Sequence, residues 1–474
     1  MQHESLTDYT AVTLAKLIAS GELSPVELTK AYLERIDKYD HILHSYITVC
    51  KTEAMEAAKR AERSVQQKEP LGPLHGLPLA VKDQYETEGV LTTAGSLNLR
   101  HNIPKRDATT VKRAKAAGAI LLGKLNMSQF ASGYGDPFQF PDPKNPWNLD
   151  YDTIGSSNGS AIAIAASLCT LSFGEDTGGS IRCPSSACGV VGLRPTWGRV
   201  SRYGVMPLSW SMDTGGPITR TVEDSAILLE VMAGYDPSDP QTSKLPVPTY
   251  KESLSNGISG MRIGLIQEFL DPEFVDQEII NAVRSAAKVL SGQGATLEDV
   301  SLPILQKVGL AAGPVTSNDA GHVHLERLRK NPGIYSPRLL TKLLAGALIP
   351  SQTLQQANRI RTVMRHQWLE LFKNFDVLIS PTILYKMNKA TYEKPAIPSA
   401  GVLSKFGKGS GDSTIVAAFL GTPALTVPCG FDSNGLPIGL HIMSSHFKEE
   451  EILRVGFQYE QATDWHTKRP LLKE

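Results

Sequence analysis

Between about residues 70 and 233, short apolar or β-branched runs alternate with helical ones: LPLAVK ending at Lys82, then ATTVKRAKAAG, then AILLG. This alternation is the signature of strands linked by helices, in a sheet covered on both faces. It marks the stretch as an α/β catalytic core. The 474 residues, 41% of them hydrophobic, supply ample material for such a core.

Four stretches follow from the pattern. Residues 1–66 read as a helical wrap: Ser24-Pro25-Val26-Glu27 is a capping box with proline at the first helical position, and Glu53 to Lys68 is rich in Ala, Glu, Lys and Arg. Residues 67–233 are the core. Residues 234–411 begin with a Pro-, Asp- and Ser-rich linker (234–260) and hold the strand-like runs RIGLI and VLISP. They also hold a mostly helical stretch, 303–372, expected to cap a site, and the glycine-rich 401–412, expected to be a mobile loop near its entrance. Residues 412–474 return to the core through LTVPC and IGLHIM and close with a helix from about 448 to 462.

Charge narrows the partners. Lys+Arg and Asp+Glu each number 48, so no overall field favours nucleic acid or an anionic membrane, and a small neutral substrate fits better. A monomer or homodimer without nucleic-acid or membrane partners is the expectation. MQHESLTDYT lacks the apolar run of a secretory signal, and the long uncharged stretch from Ile154 to Gly174 is too rich in Ser and Gly for a membrane span. A soluble, cytoplasmic protein is therefore expected. Five cysteines, Cys50, Cys169, Cys183, Cys188 and Cys429, form no C-x-x-C pair, and there is no H-E-x-x-H, so neither a metal nor another cofactor is implied.

The chemistry concentrates in DTGGSIRCP, residues 176–184. Ser180 stands behind two glycines whose N–H groups can crowd around a bound carbonyl, which makes it the candidate nucleophile. A serine hydroxyl needs a base, and Lys82, at the end of an apolar strand, can serve if burial lowers its pKa. Two other motifs carry less. GAILLGK (118–124) imitates a phosphate-binding loop, but Leu125 replaces the Ser or Thr that would hold magnesium. GSSNG (155–159) imitates a nucleophile elbow at Ser157, but the preceding NLDYDT is no apolar strand.

GSSNGSAIAIAASLCTLSFGEDTGGSIRCPSSACGVVGLRPTWGRVSRYGV resembles the serine- and glycine-rich signature of the amidase signature family, and HGLPLAVKD (75–83) resembles its lysine motif. The resemblance implies an α/β/α sandwich around a large mixed sheet. It also implies Ser180 as nucleophile, Ser156 as the family's cis-serine, and Lys82 as general base. The N–H groups of Thr177, Gly178, Gly179 and Ser180 would form the oxyanion hole, while Asp176 and Arg182 read as a structural ion pair.

The substrate pocket is expected along 126–135, with Met127, Ser132 and Gly133, and along the helical cap with Trp368. The implied reaction is hydrolysis of linear amides, with aryl amides, esters and carbamates (urethanes) open to the same chemistry. RVSRYGV and TRTVED are similar to the glutamine-hydrolysing A subunit of a glutaminyl-tRNA amidotransferase, which is the alternative; a non-catalytic scaffold is a third reading, disfavoured by the intact Lys82, Ser156 and Ser180.

The chain departs from the family pattern at Ile154 and Asn158, where glycine is usual, and at Glu175, where threonine is common and a side chain directed away from the substrate is expected. Cys183 replaces the Gln usual in the amidotransferase relatives.

Overall fold

Local chemistry sets the helix ends. Ser24 Oγ accepts from the N–H groups of Val26 (3.0 Å) and Glu27 (3.2 Å), so the predicted cap starts the helix Pro25–Leu43. Its Leu28, Tyr32 and Ile36 recur at helical spacing and are buried in the main core. The computed structural model describes residues 5–132, 139–390 and 413–472.

Among the described residues the strands are β1 (Tyr46–Val49), β2 (Pro78–Lys82), β3 (Ile120–Leu125), β4 (Leu171–Asp176), β5 (Val191–Arg194), β6 (Thr214–Thr219), β7 (Arg262–Ile266), β8 (Thr296–Val300), β9 (Val377–Pro381), β10 (Ala424–Phe431) and β11 (Pro437–Met443). They form one sheet in the order β1-β3-β2-β4-β6-β5-β10-β11-β9-β7-β8. The sheet is mixed. β3, β2 and β4 run parallel, as do β9, β7 and β8, with antiparallel pairings between these groups and at the β1 edge. The central strands are buried along their length, as expected of strands covered on both faces.

Two local readings change, and the strand read at AILLG holds. The N-terminal stretch is not wholly helical, because Tyr46–Val49 adds an antiparallel edge strand to β3, and Tyr46 donates its hydroxyl to Leu168 O at 3.0 Å. Four residues between two helices are too few to show a period in sequence. GAILLGK is strand β3, and its Lys124 is a buried structural cation, 3.3 Å from Asp83 and donating to Tyr85 O and Thr92 Oγ1 at 2.7 Å each. Trp368 does not line a pocket: it is fully buried in the main core, edge-on to Phe372 with centroids 5.5 Å apart.

The stretch 303–372 is helical as read, with helices Val308–Lys330, Pro337–Ala347 and Ser351–Leu371. The loop 401–412 lies outside the described residues. No helix among the described residues is long and apolar enough to cross a membrane.

Candidate active site

β2 and β4 are parallel neighbours, with Val81 beside Phe173, so their C-terminal ends meet at one edge of the sheet. Open α/β sheets present their sites there. Lys82 ends β2, while Glu175 and Asp176 end β4. The helix Asn158–Ala165 begins just after Ser156 and is buried along its whole length, which its small residues permit. Gly159 is required here: a Cβ would strike the backbone of Ser45 and Asn126.

Lys82 is fully buried and donates to Ser156 Oγ at 2.8 Å. It also reaches Glu175 O at 3.1 Å and Glu175 Oε2 at 3.3 Å. Burial pushes the lysine pKa down, while Glu175, then Asp176 and Asp213, push it back up. The peptide bond before Ser156 is cis. Ser157 N donates to Ser180 O at 3.3 Å, which ties the serine loop to the backbone of the half-buried Ser180.

Ser157 itself is occupied structurally. Its hydroxyl donates to Glu175 O (3.2 Å) and accepts from Glu175 N (3.3 Å).

The glycine loop is held from two sides. Thr414 Oγ1 donates to Gly178 O at 3.1 Å, and Gly179 has φ 132°, with a notional Cβ 2.5 Å from Thr414 Oγ1 and 2.9 Å from Cys183 Sγ. Only glycine fits. Gly179 N, however, donates to Asp176 Oδ1 at 2.8 Å, so this expected oxyanion donor is already committed. The N–H groups of Thr177, Gly178 and Ser180 donate to no acceptor among the described residues.

Asp176 anchors this loop. It is bound by Arg182 (Nε to Oδ2 3.0 Å, Nη2 to Oδ1 2.9 Å) and by Arg194 (Nη1 to Oδ1 3.1 Å), with all three fully buried. Burial alone would raise its pKa, but the two guanidinium groups hold it well below the carboxylate range. His441, kept neutral by burial and by Arg182, accepts from Arg182 Nη1 at 3.0 Å. Asp176→Ala is expected to destabilise the fold by about 3–5 kcal/mol, because it strands two buried cations. Urea denaturation at neutral pH measures this.

The departures from the family pattern acquire physical roles. Ile154 sits at φ 49°, costly for a β-branched residue, and is buried in an apolar cluster with Cys183, Ala187, Met387 and Leu436. Asn158 Nδ2 donates to Thr153 Oγ1 at 2.8 Å. Glu175 does not turn out of the centre. Its carboxylate faces the lysine that contacts Ser156, because the end of β4 lies directly beside the end of β2.

Asp213, not picked out from sequence, joins the site through Thr177 Oγ1 (2.7 Å). The only sequence signal was a lone carboxylate in an otherwise uncharged run, SWSMDTGG. Met127 is buried in a separate apolar cluster with Phe130, Tyr335 and Leu339; Ser132 is half-buried, and Gly133 lies outside the described residues. No group of three or more His, Cys, Asp or Glu among the described residues is arranged to hold a metal ion.

A mixed sheet with this lysine and serine loop at its strand ends defines a class of carbon–nitrogen bond hydrolases. The family model "Amidase" matches residues 27–453, and the chain belongs to the amidase signature family. Among curated proteins it is 38% identical over 496 residues to the A subunit of glutamyl-tRNA(Gln) amidotransferase from Desulfatibacillum aliphaticivorans, covering 99% of this chain and 100% of that one.

Among solved structures it is similar to one described as part of a vestigial protein complex that reveals the evolutionary origins of an s-triazine catabolic enzyme (TM-score 0.87, 33% identity, 96% of this chain and 98% of that one). It is also similar to the peptide amidase of Stenotrophomonas maltophilia (TM-score 0.83, 30% identity, 97% and 98%).

Proposed function

We propose that the chain cleaves carboxamide C–N bonds through an acyl-enzyme on Ser180, and that its substrate is the side-chain amide of glutamine, as the A subunit of a tRNA-dependent amidotransferase. The observation that carries the chemistry is the buried 2.8 Å contact between Lys82 Nζ and Ser156 Oγ, beside the loop that bears Ser180. Neutral Lys82 takes a proton from Ser156 Oγ, which takes one from Ser180 Oγ as that oxygen attacks the carbonyl. The C–N bond then breaks, and the relay returns the proton to the departing nitrogen.

Water, or another acceptor nucleophile, repeats the attack on the ester. Uncommitted N–H groups of Thr177, Gly178 and Ser180 would stabilise the oxyanion, each good donor contributing roughly 3–4 kcal/mol. Ser132, half-buried, remains the proposed wall of the acyl pocket, while Met127 packs into the cluster behind it.

The full-length similarity to an amidotransferase A subunit supports glutamine as the amide donor. That relative is, by its name, one component of an enzyme of glutamyl-tRNA(Gln). On this reading the chain works in a larger assembly on a tRNA-linked acceptor, which replaces the expectation of a monomer or homodimer without a nucleic-acid partner. On this reading the balanced net charge is no obstacle, since a subunit that only hydrolyses glutamine need not itself carry a basic face.

Cys183 favours a second reading, a free-standing amidase of linear amides, since it stands in the first turn behind the nucleophile in place of the Gln usual in the amidotransferase relatives. One assay separates them. Purified chain is given glutamine, a C-terminally amidated peptide and an anilide in turn, each with hydroxylamine. Hydroxamate from glutamine supports the first reading, and hydroxamate only from peptide amide or anilide supports the second. Turnover with no trappable acyl group defeats the acyl-enzyme itself.

A further inference from the structure

An ammonium group has three N–H donors. Lys82 Nζ has three acceptors in reach, Ser156 Oγ, Glu175 O and Glu175 Oε2, at 2.8, 3.1 and 3.3 Å. Three acceptors thus match the three donors of the ammonium form, and only Glu175 Oε2 among them is a carboxylate oxygen. Glu175 is held at its other oxygen too, since Oε1 accepts from Thr177 Oγ1 at 3.0 Å. The same hydroxyl reaches Asp213 Oδ1 at 2.7 Å, and Asp213 is fixed by the N–H groups of Leu208 (2.8 Å) and Ser209 (2.9 Å). One side chain thus spans the distance from the relay lysine to the first residue of the oxyanion loop.

A threonine at position 175, common in the family, would offer Lys82 no charge. A carboxylate in so dry a site attracts the ammonium strongly, since neither partner has more than 1% of its side chain exposed.

We propose that Glu175 is a positioning residue that holds the proton on Lys82, so that the relay switches on at a higher pH than a threonine-bearing site would require. This rests on the Ser180, Ser156 and Lys82 reading above. The other ionisable groups facing the pair are Asp176 on the same strand, Asp213 just before β6, Tyr85 after β2, and Arg194 at the end of β5. Burial and then Glu175 raise the Asp213 pKa, which makes Asp213 a weaker counter-charge for Lys82 than Glu175. Asp176 is already neutralised by Arg182 and Arg194.

The test compares the pH dependence of kcat/KM, and of fluorophosphonate labelling at Ser180, in wild type, Glu175→Gln and Glu175→Thr. Removing the anion destabilises the ammonium form, so the free base appears at lower pH. The rising limb should move down by about 1–3 pH units in both variants, the size of shift an adjacent opposite charge produces. Limbs that coincide with wild type, or that move to higher pH, overturn the proposal and leave Glu175 a packing residue.

Circular dichroism checks the fold. If Glu175→Gln does not fold, Glu175→Thr reads the same limb, and its own failure to fold would also count against a tuning role. Wild type that is not labelled at Ser180 defeats the acyl-enzyme reading, whereas labelling with unmoved limbs defeats only the role of Glu175.

Discussion

Ser180→Ala is expected to remove turnover of glutamine, peptide amide, anilide and ester substrates together, by roughly 10⁴- to 10⁶-fold. All of these pass through one acyl-enzyme on the proposed path, so no substrate should escape the loss. The same substitution should abolish the adduct that a fluorophosphonate forms with wild type, read by intact mass and peptide mapping. The rival site is Ser157. Its hydroxyl is buried and bonded to both the carbonyl and the N–H of Glu175, which leaves it poorly placed to attack. An adduct mapped to Ser157, or substantial turnover by folded Ser180→Ala, would move the nucleophile there.

Lys82→Arg should be as inactive as Lys82→Ala, each losing about 10²- to 10⁴-fold in kcat/KM, the range of general acid–base catalysis. Arginine would keep the charge facing Glu175, yet its guanidinium does not give up a proton at any working pH. The comparison therefore separates a base from a counter-ion. Near-wild-type turnover in a folded Lys82→Arg protein would show that Lys82 acts through its charge, and the proton acceptor would have to lie elsewhere. Stability should be followed in parallel, because the larger head group enters a fully buried site.

Much of the architecture was legible because period and punctuation are local properties. β2, β3, β7, β9, β10 and β11 fall on the apolar runs read as strands, and the helix Glu449–Gln461 falls where the closing helix was expected. Edge strand β1 escaped because four residues carry no period, and the burial of Trp368 escaped because a helix face reveals that it packs, not against what. A glycine-rich turn ahead of a serine is likewise local, so Ser180 stood out from DTGGSIR alone.

The α/β class, the family resemblance and the inventory of reactive side chains can all be read from the order of residues: a lysine closing an apolar strand, two serines in small-residue loops, and a carboxylate at position 175. How these groups meet is a property of the folded chain. Lys82 and Ser156 are 74 positions apart and Lys82 and Glu175 are 93, so their contacts depend on β2 and β4 lying side by side and on the buried helix that follows Ser156. For the same reason Glu175 turned to the lysine, Gly179 gave its N–H to Asp176, and Asp213 entered the site through Thr177. A side chain at the end of a strand points where packing and charge in its neighbours allow, and those neighbours are brought together only when the sheet closes.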